Sequence, residues 1–151
     1  MSMKRQSAVQ GELVVAWSEM PRSPGHVFYD RLQTLLAEAG FDGFVERTCK
    51  PYYAARMGAP SLPPGRYFRM HMVGYFEGID SERGLAWRCS DSLSLRAFLR
   101  LSERETAPDH SWLSKTRNRL PHEVHEQVFG WVLALVAERG LVKGERIGVD
   151  G

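Results

Sequence analysis

Residues Tyr67 to Phe76 leave a helix almost no polar side to show to water. Phe68, Met72, Val73, Tyr75 and Phe76 are spread nearly all the way round it. A helix of that kind has to be enclosed by others, so the segment predicts the central helix of a bundle. A break precedes it, with Gly58, Pro60, Pro63, Pro64 and Gly65 crowded together. That crowding fits either a linker or a tight ordered loop. The polar turn from Gly78 to Ser81 follows.

The flanking segments carry helix signals of the ordinary amphipathic type. Phe28, Leu32, Leu35 and Leu36 recur at helical spacing, and Gly40 is a natural terminator. A shorter helical piece runs from Phe41 to Arg47. Asp80 or Ser81 can cap a helix from Glu82 to about Arg88, and Ser92 one from Leu93 to Leu101. Pro108 and Asp109 open a helix reaching about Asn118. Pro121 sits at the first turn of the last helix, which shows Val124, Val128, Trp131, Val132, Leu135 and Val136 on one face before Gly140 ends it. Leu13 to Trp17 reads equally as a strand or a helical turn. Arg146 to Val149 reads as the start of a β-strand. Trp17, Trp87, Trp112 and Trp131 are expected to anchor the core, with Trp112 alternatively flanking a binding surface. The resulting fold class is mainly α, a helical bundle with a helix-turn-helix-like segment.

With 151 residues, the chain has room for one domain with a substantial core. Its 20 basic and 18 acidic residues leave a net charge of only +2, so any basic surface has to be local. Cys49 and Cys89 lack both a disulfide framework and zinc-site spacing, which predicts buried free thiols and a cytoplasmic setting. No signal peptide or membrane-length apolar run is visible.

The best candidate for chemistry is Ser92 to Leu120, two helices with an unusually long connection from Ser102 to Ala107. In the second helix Leu113, Thr116 and Leu120 fall on one face. Ser111, Ser114, Lys115, Asn118 and Arg119 fall on the other, with Arg117 at the boundary. From His110 to Leu120 there are three basic residues and no acidic one. Lysine and arginine neutralise phosphates, and asparagine and arginine read base edges. The pattern alone favours a plain solvated bundle face. His122 and His125 with Glu126 lack a third metal ligand. Asp109, His110 and Ser111 are adjacent in sequence and cannot face one another as a catalytic triad, so Asp109 reads as a helix cap.

Three strings reverse that balance. They are Gly74-Tyr-Phe-Glu-Gly-Ile-Asp-Ser-Glu-Arg83, Asp91-Ser-Leu-Ser-Leu-Arg-Ala-Phe-Leu99 and Pro108-Asp-His-Ser-Trp-Leu-Ser-Lys-Thr-Arg-Asn-Arg-Leu120. With them, the chain resembles the N-terminal domain of DDE-type insertion-sequence transposases. Phe98-Leu-Arg100 departs from the Phe-Leu-Gly common in that family, and Gly58-Ala-Pro60 from its Arg-Pro pair.

The resemblance implies an N-terminal segment (1–24), a helical DNA-binding domain (25–140) and the start of an RNase H-like catalytic domain (141–151). Its partner would be double-stranded DNA at the element's terminal repeats, with a homodimer or a full-length transposase as further partners. Ser111, Ser114, Lys115, Arg117, Asn118 and Arg119 would form the contact surface, with support from Arg96 and Arg100. Asp150 would be the first metal-binding carboxylate, with magnesium bound only in a complete catalytic domain; the fragment itself is expected to need no cofactor. The family's second aspartate and its glutamate have no match here. The alternative function is a helical interaction module that dimerises transposase or docks its catalytic domain. The isolated chain is expected to show no strand cleavage with magnesium or manganese. Metal-dependent nicking by a clean preparation, abolished by Asp150→Ala, would contradict this.

Overall fold

The protein, represented by a computed structural model, is described at Met3 and over residues 26–53 and 61–141. The expected strand at Arg146 to Val149, Asp150, Trp17 and the segment Leu13 to Trp17 lie outside the described residues. Within them the regular structure is helical, with no strand. The elements are α1 (His26–Glu38), α2 (Phe41–Cys49), a 3-10 turn (Lys50–Tyr52), α3 (Pro64–Glu77), α4 (Glu82–Asp91), α5 (Leu93–Phe98), α6 (His110–Arg119) and α7 (His122–Glu138).

As its all-round hydrophobicity predicts, α3 is central. Tyr67, Phe68, Met70, Met72 and Val73 have no exposed surface. It packs on α2 and α4, while α1 packs on α2, α5 and α7, and α6 packs on α4. Each outer helix contributes a stripe at helical spacing: Tyr29, Leu32 and Leu36 from α1; Leu85 and Cys89 from α4; Val124, Val128, Val132 and Leu135 from α7. Gly40 (φ 73°) separates α1 from α2, and Gly140 (φ 69°) follows α7; both adopt the left-handed conformation that favours glycine.

Arg69 is the exception in this apolar centre. It is 2% exposed, yet it carries a full charge into the core. Its guanidinium donates to both carboxylate oxygens of Asp42 (2.8 and 3.0 Å), to Gln33 Oε1 (2.9 Å) and to the Gly65 carbonyl (3.2 Å). It also lies over the rings of Phe41 and Phe98, 5.2 and 5.9 Å from their centroids. One side chain thereby ties α3 to α1 and α2. Gly65 makes room for the pair, since a Cβ there would overlap Asp42 Oδ1.

Two expectations need correcting. The helix expected over Leu93 to Leu101 ends at Phe98, because Arg100 turns to φ 58° and no α-helix continues through a left-handed residue. Of the four tryptophans, Trp87 is 64% exposed and Trp112 37% exposed, so neither is a core anchor. Leu85, Ala86 and Cys89 take the inward positions of α4, and Leu113 and Thr116 those of α6. Trp131 does pack, stacked on Phe44 at 4.8 Å.

Asp42→Ala strips the buried guanidinium of its carboxylate and is expected to cost about 2–3 kcal/mol, less than for a fully buried pair because Asp42 is partly open to water. The hydrogen bonds from Arg69 hold the Asp42 carboxyl below its ordinary range. The folded form therefore binds its proton less readily than the unfolded chain. The pair's contribution is fully present above the unfolded pKa and is lost as pH falls below about 4. Urea unfolding of both proteins at neutral and acid pH checks this: their difference should shrink on acidification.

Candidate nucleic-acid interface

The helix α6 is set by its ends and its inner face. The Asp109 carboxylate accepts the Trp112 backbone N–H (3.1 Å), the cap expected from the sequence. Leu113 and Leu120 are buried, and Thr116 is buried with its hydroxyl donating to the Trp112 carbonyl (2.9 Å). These contacts fix which residues face outward: Ser111, Lys115, Arg117, Asn118 and Arg119 are exposed and Ser114 is half-buried.

The outward residues fall into two groups. Ser114 and Arg117 face α4, where Glu82 holds both. Ser114 Oγ donates to Glu82 Oε1 (2.8 Å), and Arg117 Nη1 lies 3.2 Å from Glu82 Oε2. Lys115 and Arg119 have no carboxylate partner among the described residues. They rest on aromatic rings instead, Lys115 Nζ 5.5 Å from the Trp112 centroid and the Arg119 guanidinium 5.0 Å from that of Tyr53. The Tyr53 hydroxyl donates to the Leu62 carbonyl (2.9 Å), which fixes its ring, and burial pushes its pKa up to about 12. A cation on a ring keeps its charge available to an outside anion, whereas one paired with a carboxylate is already neutralised.

Arg96 and Arg100 belong to a separate cluster. Arg96 donates to the carbonyls of Ser102 (3.3 Å) and Glu105. Arg100 lies 3.7 Å from Asp42, and its carbonyl accepts from Arg66, which also pairs with Glu105 at 2.9 Å. This cluster closes the connection between α5 and α6, eleven residues running from Leu99 to Asp109. With α6 packed on α4 across so long a connection, the described residues do not display the short two-helix turn expected of a helix-turn-helix.

A second polar group joins α3 to α7. Tyr67 Oη and His125 Nε2 are 2.7 Å apart, and His71 packs 4.4 Å from the Tyr67 ring. Burial and the neighbouring His125 lower the pKa of His71 to about 4, so it is neutral at physiological pH. His122 pairs with Glu126 (2.6 Å) while His125 turns inward, so the two histidines do not converge. No group of three His, Cys, Asp or Glu side chains among the described residues is arranged to hold a metal ion. Cys49 and Cys89 are buried free thiols, which burial raises to about 11 and about 12. No helix among the described residues is long and apolar enough to cross a membrane.

The family model described as a transposase domain (DUF772) matches residues 18–119, more than half of the chain. The chain therefore belongs to the DUF772 transposase-domain family, which ties it to transposition. No curated protein and no solved structure matches it.

Arg100 is the only non-glycine residue with positive φ among those described. Arg100→Gly should remove a left-handed strain of about 1–2 kcal/mol, partly offset by the greater chain entropy of glycine. The expected outcome is a melting temperature unchanged or slightly raised. A marked fall would show that the contact with Asp42 outweighs the strain.

Proposed function

We propose that the chain binds double-stranded DNA through the outward face of α6 and recognises the terminal repeats of its element during transposition. The observation that carries this reading is the pair Lys115 and Arg119. Each is exposed, braced by a ring and unpaired with any carboxylate among the described residues, and they lie four residues apart on one side of the helix. Lys115 neutralises a phosphate. Asn118 and Arg119 reach base edges, where asparagine suits adenine and arginine suits guanine. Ser111 supplies a hydroxyl to the backbone. Ser114 and Arg117 support the surface from the side, held by Glu82. Magnesium and Asp150 belong in this reading to a complete catalytic domain, and no catalytic step is assigned to the helical residues.

A solvated helix end is the plainer account of Arg117 and Arg119, since cations in a last turn favour the helix dipole. Family membership and the ring-braced geometry speak for DNA. The interaction-module reading has one observation of its own, the 64% exposed Trp87 on α4.

The test is a binding titration on terminal-repeat and scrambled duplexes at several salt concentrations. Lys115→Ala should weaken binding equally on both and lower the salt slope by about one. Arg119→Ala should cost about 1–3 kcal/mol, mostly on the specific duplex. A folded double variant with unchanged affinity and slope would remove α6 as the reader and put the interaction module first.

A further inference from the structure

We infer that the DNA contact surface continues past the end of α6 onto the turn Lys50–Tyr53, which grips the phosphate backbone beside the groove that α6 occupies. The inference rests on the reading of α6 as the DNA-facing helix and adds a second element to it.

Three observations support the extension. The first is contact: the Arg119 guanidinium, at the last position of α6, lies over the Tyr53 ring, so the turn adjoins the end of that helix. The second is charge: Lys50 is exposed and, like Lys115 and Arg119, has no carboxylate partner among the described residues. Arg47, one turn earlier, is placed differently, for its Nη1 lies back over Gly43. The third is fixed geometry. Pro51 stiffens the 3-10 turn, its backbone closes through Tyr53 N–H donating to the Lys50 carbonyl (3.2 Å), and the Tyr53 hydroxyl is held by Leu62.

Size fits the arrangement. A ten-residue helix is about 15 Å long, and the major groove is about 12 Å wide. A helix reading base edges therefore ends close to a phosphate ridge, and Tyr53 under Arg119 brings the turn that carries Lys50 to that end. Trp112 and Tyr53 act here as braces, because each already carries a cation on a face. That leaves Tyr52, 38% exposed, as the open ring of this turn, short of the succession of stacking rings an unpaired strand uses, and so favours duplex DNA.

The experiment is a salt titration of the full chain with three probes: a terminal-repeat duplex, a scrambled duplex of equal length and the corresponding single strand. Lys50→Ala, on an exposed side chain, is expected to lower the salt slope by about one on both duplexes alike. Tyr53→Leu is expected to weaken the terminal-repeat complex about two- to fivefold, and to add nothing in an Arg119→Ala background, because the ring acts through Arg119. An unchanged slope for Lys50→Ala, with a lowered slope for Lys115→Ala, overturns the extension and leaves α6 as the reader. Absence of duplex binding by the unaltered chain overturns both. Tighter binding of the single strand, lost on Tyr52→Ala, overturns the backbone grip in favour of a stacking surface.

Discussion

The buried charge of Arg69 sets the terms for the rest of the bundle. An unpaired guanidinium in an apolar core costs several kcal/mol, so the surrounding helices are bound to positions that satisfy it. Asp42 must sit at the start of α2, Gln33 on the inner side of α1, and Gly65 must lack a side chain. Such a constraint is directional, whereas apolar packing alone tolerates sliding. It fixes α3 against α1 and α2 and thereby orients the opposite side of α3, on which α4 rests.

The placement of α6 follows from α4. Glu82, in the first turn of α4, takes Ser114 and Arg117, and Ser81 caps the same helix by accepting the Gly84 N–H (3.0 Å). With those two side chains held against α4, Lys115, Asn118 and Arg119 are left as the unpaired part of the outer face among the described residues. One carboxylate thus divides a polar helix face into a structural half and an available half. In the proposed function that available half is the one that meets DNA, a reading that membership of a transposase-domain family supports.

Most of the helical architecture was readable in the sequence because its signals are local. Periodicity of 3.6 residues and caps acting over three residues set α1, α3, α6 and α7, and Ser81, Ser92 and Asp109 cap as expected. The keystone was not readable. Arg69 sits in a run that looks apolar, and its partner Asp42 lies in another helix, so only tertiary structure joins them. The same holds for Arg119 on Tyr53, and for Glu82 drawing Ser114 and Arg117 out of the polar face. Trp87 and Trp112 do not anchor the core because size and apolarity do not say which side of a bundle stays open. The departure at Arg100 was visible as an absent glycine, but its left-handed backbone was not.

The central claim is that this bundle presents the outer face of α6 to duplex DNA. Amide chemical shifts measured while a terminal-repeat duplex is titrated into the labelled full chain test it most directly. The account predicts perturbations concentrated at Ser111, Lys115, Asn118 and Arg119 and at Lys50 to Tyr53, with Arg69 and its neighbours unmoved. Shifts confined instead to the groove between α1 and α7, lined by Val27, Arg31 and Arg139, would contradict it.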